Sequence, residues 1–422
     1  MRIFVCAVAL ALTLASPAGA QQYALEQAAA AELQNMCAND GSQLWRVSLC
    51  GPLIVVDPAT RSAWASQADS GGVLRANGGG GWIGALPQGV PLANSAVTWS
   101  GVRWIMVMSP LPRDATERRV LLAHEAWHRI QEQIALAGRS SDAPHLETER
   151  GRYFLRLEMR ALATALRSRA SARRHAAEDA LLFRAARLAE FSSAAGAEAA
   201  LDRNEGLASY TGVRLGAEQP DIYAARTLDQ YDLQQAYVRS YAYATGPAYG
   251  VLLDDYAEDW RRNLGNFAPA DLLAGATPPP RLRPRSVRRA AERYGGADIA
   301  VQERDRAIAQ RTRIAELRQR YATGPRLELP LRQMQFEFDP TRVTSVEGLG
   351  TFYSRLTLRD LWGELVAADG ALVDTASTQA TAAAPDAGGL SGPGWRLRLN
   401  PGYAVSGPDG SGVRRVVPLA QQ

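Results

Sequence analysis

The sequence predicts an α+β protein, with strands in the N-terminal region, a mainly helical centre and a small C-terminal β domain. Before residue 110, short apolar runs such as "LIVVD" and "VRWIMVM" are separated by glycine-rich loops, which is typical of strands. In the centre, apolar residues recur at helical spacing over several long segments. Beyond Pro325 apolar and polar residues alternate, so that Met334, Phe336 and Phe338 of "RQMQFEF" share one face of a strand.

The first elements are a helix at residues 21–37, the two strands, and a long helix from about Asp114. Asp114 can cap this helix, with Glu117 at the position of a capping-box acid. The strand at 102–108 precedes it and is either a sheet edge, along which an extended peptide could pair, or a central strand.

Further helices are predicted at residues 145–166 and 176–191, after residue 212, at 237–264 and, beyond a proline-rich connector, at about 287–321. In the C-terminal β domain we expect the low-complexity segment 375–394 to form an exposed loop.

Composition argues against membrane and disordered proteins, because 46% of the 422 residues are hydrophobic, 21% are charged and only one long apolar run occurs. That run is N-terminal, "MRIFVCAVALALTLASPAGA", and ends in small residues. It predicts a signal peptide over residues 1–20, cleaved near Ala20, because it is too short for a stable anchor. The mature chain is therefore expected in the periplasm or outside the cell, with no stable membrane anchor.

Cysteine and charge usage agree with export. Signal cleavage leaves Cys37 and Cys50, which are 13 residues apart and are expected to form a disulfide; two buried free thiols are the alternative. All 47 basic residues are arginine, and 43 acidic residues nearly balance them. The dense arginine runs "RSRASARRH" and "RLRPRSVRR" are interpreted as solvated helix faces, and no nucleic-acid partner is expected.

The segment "VLLAHEAWHRIQ" contains the strongest chemical signal. A helix places His124 and His128 on one face, about one turn apart, which suits two ligands of a tetrahedral Zn²⁺. Glu125 then faces a water on the same metal and can accept its proton. Only 4 histidines occur in 422 residues, so two of them in this pattern are informative. A chance pair on an ordinary amphipathic helix is the alternative.

A catalytic zinc site needs a third protein ligand. The candidates are Glu147, Glu158, Glu205, His145 and His175. The surroundings of Glu147 resemble a helix start, Glu158 could instead pair with an arginine, and His175 is most simply a surface residue.

Two further segments carry a family resemblance. "NEGLASY", residues 204–210, and "YATG", residues 243–246, resemble the NEGFASY and Tyr-x-Lys-Gly segments of aminopeptidase-N-like gluzincins, a family of zinc metallopeptidases. The resemblance implies a zincin-like fold, Glu205 as the third zinc ligand, and a Tyr243 hydroxyl that stabilises the oxyanion. Thr245 stands where the family has lysine. Other tyrosines compete for the role of Tyr243, namely Tyr237, Tyr241 and Tyr249.

The chain also departs from that family. Glu205 lies 77 residues after His128, against 19 in those aminopeptidases, and no Gly-x-Met-Glu-Asn segment precedes the histidines. The resemblance therefore supports a gluzincin catalytic core but not aminopeptidase specificity.

Together these features predict an exported zinc metallopeptidase that hydrolyses a peptide or protein substrate. One Zn²⁺ per chain would be held by His124, His128 and Glu205, with Glu125 and Tyr243 as catalytic residues. The first alternative is a non-catalytic zincin-fold envelope protein that binds peptides or partners; the second is a structural helical protein with an accidental motif. The predicted regions are 1–20 (signal peptide), 21–110 (N-terminal α/β region), 111–270 (helical zinc-binding core), 271–324 (connector and helix) and 325–422 (C-terminal β domain).

Overall fold

The computed structural model describes residues 22–136, 141–234, 236–339 and 342–419. The predicted signal peptide lies outside these ranges. The described chain is a mixture of helices and strands with open sheets, which confirms the α+β class. Within the described ranges, no helix is both long and apolar enough to span a membrane. The chain divides into two compact units, one up to Ile130 and one from Gln131.

The described part of the N-terminal unit, residues 22–130, forms two helices and one six-stranded sheet. The helices are α1 (Ala24–Asp40) and α2 (Ala115–Ile130). The strands are β1 (Leu53–Val56), β2 (Ser62–Ala65), β3 (Arg75–Ala76), β4 (Trp82–Ala85), β5 (Ser95–Trp99) and β6 (Val102–Met108). Their order in the sheet is β3-β4-β2-β1-β6-β5, with β1 and β6 parallel and the other pairs antiparallel.

Strand β6 is central in this sheet, because it pairs with β1 on one side and with β5 on the other. The central alternative for residues 102–108 is thus confirmed, and the idea that a peptide pairs with β6 is wrong. Trp104 and Met106 of β6 enter the apolar core on one face of the sheet. Helix α2 packs against β5 and β6.

A disulfide and an ion pair are among the contacts that tie α1 to the rest of this unit. Cys37 and Cys50 form the predicted disulfide, which joins the end of α1 to the segment before β1. Arg118 of α2 donates from Nε to Oε2 of Glu32, at 2.8 Å, and this ion pair joins the two helices. Asp114 caps α2 as expected, because its Oδ1 accepts a hydrogen bond from the backbone N–H of Glu117.

The C-terminal unit begins with a helical region. Its α-helices are α3 (Glu149–Arg167), α4 (Ala170–Glu190), α5 (Ala195–Leu201), α6 (Leu207–Gly216), α7 (Pro220–Asp232), α8 (Ala242–Tyr256), α9 (Pro269–Ala276), α10 (Pro284–Arg293) and α11 (Gly296–Arg318). Helices α3 and α4 form an antiparallel pair, α6 packs on α8, and α11 packs on α3. The helix predicted at about 287–321 is interrupted, because Gly295 adopts a left-handed conformation between α10 and α11.

The described β region of this unit forms two mainly antiparallel sheets that share one hydrophobic core. The strands are β7 (Arg326–Pro330), β8 (Gln335–Phe338), β9 (Val343–Val346), β10 (Gly350–Tyr353), β11 (Leu356–Asp360), β12 (Gly363–Ala367), β13 (Ala371–Val373), β14 (Gln379–Ala383), β15 (Ser391–Gly392), β16 (Trp395–Leu399), β17 (Tyr403–Val405) and β18 (Val413–Pro418). One sheet has the order β17-β18-β7-β14-β13-β10-β9 and the other β15-β16-β12-β11-β8. Apolar residues of both sheets share one buried cluster, so the sheets form a sandwich.

The low-complexity segment 375–394 is not the exposed loop that its composition suggested. It contains β14, which pairs with β13 on one side and β7 on the other. Ala380, Ala382 and Ala383 are buried there. Small side chains fit between neighbouring strands of a covered sheet, and composition alone does not separate such a strand from a loop.

Candidate metal centre

Helix α2 brings the two imidazoles together, as the spacing predicted. His124 is buried, His128 is partly buried, and their Nε2 atoms are 3.2 Å apart. Trp127 is fully buried and lies edge-on to the His128 ring, with ring centroids 5.5 Å apart. The indole therefore limits the rotation of the His128 ring.

The distance between the imidazole nitrogens suits a tetrahedral cation. Two ligand atoms at about 2.0 to 2.1 Å from a tetrahedral Zn²⁺ lie about 3.3 Å from each other. The observed separation of 3.2 Å is close to that value. The same separation also allows one neutral imidazole to donate a hydrogen bond to the other, so the pair alone does not define a metal site.

Glu205 completes the group. One carboxylate oxygen of Glu205 and one ring nitrogen each of His124 and His128 lie within 4.8 Å of one another. Two imidazoles and one carboxylate form a donor set that can hold a divalent cation and that suits zinc. Glu205 lies in a short π-helix, Asp202–Gly206, between α5 and α6. Such π-helical turns are uncommon and occur frequently at functional sites, and nothing in the sequence pattern indicated this one.

Glu125 lies beside the first of the two imidazoles. It is 3% exposed. Its Oε1 lies 4.0 Å from Nε2 of His124. A carboxylate held this close to a metal ligand is within range of a water bound at the same centre.

The other candidate ligands have partners elsewhere in the C-terminal unit. Glu147 accepts a hydrogen bond from Arg306, and Glu158 from Tyr249. Nε2 of His145 is 2.7 Å from the carboxylate of Glu198. His175 is exposed on α4. Among the described residues, the grouping with metal-ligand spacing is that of His124, His128 and Glu205.

Arg129 is the charged residue next to the second histidine, and it has a structural role. Its Nη1 donates to the backbone oxygen of Cys50, at 3.0 Å, and its Nε to that of Arg103, at 3.3 Å. Partial burial lowers the pKa of the Arg129 guanidinium. Arg129 therefore links α2 to the disulfide segment and to β6 of the same unit.

The two motifs that resemble gluzincin segments meet at their glycines. A Cβ on Gly246 would lie 2.2 Å from Cα of Gly206, so the π-helix and α8 approach each other backbone to backbone. This contact is one residue after Glu205 and one helical turn after Tyr243. Helix α8, which also carries Tyr243, therefore packs closely on the π-helix that carries Glu205.

Tyr243 differs from the competing tyrosines in its exposure. It is partly buried, whereas Tyr237, Tyr241 and Tyr249 are almost completely buried. Those three hydroxyl groups donate to the backbone oxygens of Tyr231 and Glu198 and to the carboxylate of Glu158, respectively. The hydroxyls of these three tyrosines therefore support the packing of the helices.

A Gly246→Ala variant tests the role of this contact. The added methyl group would meet the backbone of Gly206, which has no flexible side chain to move aside. We expect a loss of about 1 to 3 kcal/mol in the free energy of unfolding, as for other overpacked sites, together with weaker zinc binding. The measurements are denaturant unfolding and zinc titration.

The matched control is Gly275→Ala in α9, where an added Cβ has no neighbour within 4 Å. That variant should retain or slightly increase stability. Equal behaviour of the two variants would show that the glycine contact does not matter.

A cluster of buried charges lies beside the π-helix and is formed by Glu158, Arg184, Arg187, Glu198 and Asp202. We call it the buried charge cluster. Asp202, the first residue of the π-helix, accepts a hydrogen bond from Arg184 at 2.7 Å. Arg187 donates to both carboxylate oxygens of Glu198, at 2.8 Å each, and also pairs with Glu158.

Burial and ion pairing shift the pKa values of the carboxyl groups in this cluster in opposite directions. Burial alone would raise the pKa of the Glu198 carboxyl, but Arg187 and Arg184 outweigh burial and hold that pKa below its usual range. For Asp202 burial dominates and raises the pKa to about 6, because Arg184 offsets only part of the lost solvation. The cluster thus fixes the start of the π-helix through paired charges that have almost no access to water.

Comparisons with protein-family models, curated proteins and solved structures find no match to this chain.

Proposed function

We propose that this chain is an exported zinc metallopeptidase with a zincin-like, gluzincin-type catalytic core. The observation that supports the proposal best is the grouping of His124, His128 and Glu205 with Glu125 directly beside the first imidazole. These three residues would hold the ion, and a set of three protein ligands would leave room for a water molecule, as a catalytic zinc site requires. A bound zinc ion would supply Lewis-acid chemistry and lower the pKa of a water molecule in that position.

Two protein residues supply proton transfer and stabilisation of the oxyanion. Glu125 accepts the proton of the attacking water and passes it to the leaving amine, which is general acid–base catalysis by one carboxyl group. The Tyr243 hydroxyl donates a hydrogen bond to the oxyanion that develops on the scissile carbonyl, and so stabilises the transition state more than the substrate. The substrate is a peptide or a protein.

Export is part of the proposal. The Cys37–Cys50 disulfide is compatible with an oxidising compartment. The N-terminal segment 1–20 would direct the chain to the periplasm or out of the cell, and would be removed near Ala20.

Metal binding is the direct test. The purified protein should contain about one zinc ion per chain, and chelation should lower its thermal midpoint, because a ligand at 100 times its dissociation constant adds about 2.7 kcal/mol of stability. A His124→Ala variant should lose both the metal and the shift. His175→Ala is the matched control, since His175 is exposed on α4 and should leave both unchanged.

A protein without zinc, and without a response to added zinc or to chelation, would refute the metallopeptidase. Stoichiometric zinc without hydrolysis of a diverse peptide mixture would instead favour a non-catalytic binding protein on the same fold.

A further inference from the structure

Gln131 is the first residue after α2, three residues beyond His128, and it is 7% exposed. Its side-chain amide nitrogen donates two hydrogen bonds, both at 2.9 Å. One goes to the backbone oxygen of Leu136 and the other to Oδ1 of Asn204. The orientation of this buried amide is defined by the contact with Leu136, because a flip would set the side-chain oxygen of Gln131 against a carbonyl oxygen.

The orientation of Gln131 determines that of Asn204. A backbone carbonyl only accepts hydrogen bonds, so the contact with Leu136 requires Gln131 to present its NH₂ group. Gln131 then donates to Asn204, and Asn204 must turn its oxygen toward Gln131. Its Nδ2 consequently points to Glu205, where it donates to Oε1 at 2.9 Å.

We propose that Gln131 and Asn204 form an amide relay that orients the Glu205 carboxylate for metal binding. This inference rests on the proposed metal site, but it does not require that the site hydrolyses peptides. Hydrogen bonds to a charged carboxylate are stronger than hydrogen bonds between neutral groups. They also fix the orientation of the carboxylate that would coordinate the cation. Gln131 is a positioning residue in this scheme, since it acts through Asn204.

The relay begins directly after the end of α2. Gln131 directly continues the helix that carries both imidazoles, whereas Glu205 lies 77 residues after His128. A freely rotating carboxylate loses conformational entropy when it binds a cation. A hydrogen-bond partner that holds the Glu205 rotamer in advance reduces this loss and so strengthens binding. Gln131, which follows α2, supports this partner through its hydrogen bond to Asn204.

The test uses uncharged variants of similar shape, so that no added charge changes the attraction for a cation. Gln131→Met removes both donors, and Asn204→Leu removes the donor to Glu205. Each should weaken zinc binding by about 10- to 100-fold, as other changes to partners of metal ligands do. The dissociation constant is measured by competition with a chromophoric chelator, and the visible absorption of the cobalt-substituted protein reports the coordination.

Gln133→Ala is the matched control. It is exposed, lies two residues from Gln131 in the same turn, and should leave the dissociation constant unchanged. The double variant Gln131→Met/Asn204→Leu should bind zinc no more weakly than Asn204→Leu alone, because Gln131 acts through Asn204. Additive losses would overturn the relay.

A purely structural role gives a different result. The thermal midpoint of the metal-free variants would then fall while the zinc dissociation constant stayed at the wild-type value, and this outcome would refute the proposal. Where Gln131→Met does not fold, as judged by circular dichroism, Asn204→Leu and Asn204→Ser decide the question through the same constant. A wild-type protein that binds no zinc refutes site and relay together, whereas one that binds zinc without hydrolysing peptides refutes only the peptidase.

Discussion

A Glu125→Gln variant is expected to retain zinc and to lose peptide hydrolysis by at least about 100-fold, the lower range for a general acid–base group. Glutamine fills the same space as glutamate but cannot accept the proton of a water molecule. The site around Glu125 is closed, since the residue is 3% exposed and its Oε1 lies 4.0 Å from Nε2 of His124. The measurement is kcat for a peptide substrate, with the zinc content determined on the same sample.

The control for this variant is Glu117→Gln, a change of an exposed glutamate in the first turn of the same helix. It should leave kcat unchanged and alter stability by less than about 1 kcal/mol. Full hydrolysis by Glu125→Gln would exclude the proposed proton acceptor. If Glu125→Gln lost its zinc as well, the carboxylate would have to be a metal ligand or a structural residue.

The local part of the site was predictable from sequence. A helix alone sets the relation of His124 to His128, and the cap at Asp114 indicated where that helix begins. These features depend on residues within one or two helical turns of each other, so local spacing in the sequence is enough to predict them.

The distant parts of the site were not predictable in the same way. Glu205 was singled out through a short resemblance, and no spacing rule connects it to His128 across 77 residues. The π-helix around Glu205 and the contact of Gly206 with Gly246 depend on how α8 packs. Gln131 had no sequence signal at all, because its importance comes only from the groups that it meets after folding.

The β domain shows a second limit. Alternation correctly predicted β8, in which apolar and polar residues alternate. It failed for β14, whose buried residues are mostly alanine and give no clear contrast with the surrounding alanine-rich segment. Pairing with β13 and β7 stabilises this segment. Strand pairing depends on residues that are distant in sequence, so the local pattern does not predict it.

The buried charge cluster was also invisible in the sequence. Arg184 and Arg187 belong to an arginine-rich helix, and arginines in such helices usually face solvent. In the folded chain they meet Glu158, Glu198 and Asp202, which come from three different segments. The pairing of Glu158 with arginine was one of its sequence-based alternatives, but the burial of both partners has no local signal in the sequence.

The second large effect is expected for Arg187→Met, which should destabilise the folded protein by about 3 to 5 kcal/mol. Arg187 is 0% exposed and pairs with Glu158 and Glu198, whose side chains are also 0% exposed. Methionine fills much of the space but leaves both carboxylates without their main counter-charge. Denaturant unfolding followed by circular dichroism measures the change, and zinc titration shows whether the π-helix beside the cluster is still held.

Arg150→Met is the matched control, because Arg150 pairs with Glu190 at the surface, where the two side chains are 53% and 36% exposed. A surface ion pair contributes about 0 to 1 kcal/mol, so this variant should unfold almost as the wild type does. Adding Glu198→Met to Arg187→Met should restore part of the lost stability, because one uncompensated charge then leaves the interior. A small effect of Arg187→Met, with no recovery in the double variant, would mean that water reaches these carboxylates and that the cluster does not anchor the π-helix carrying Glu205.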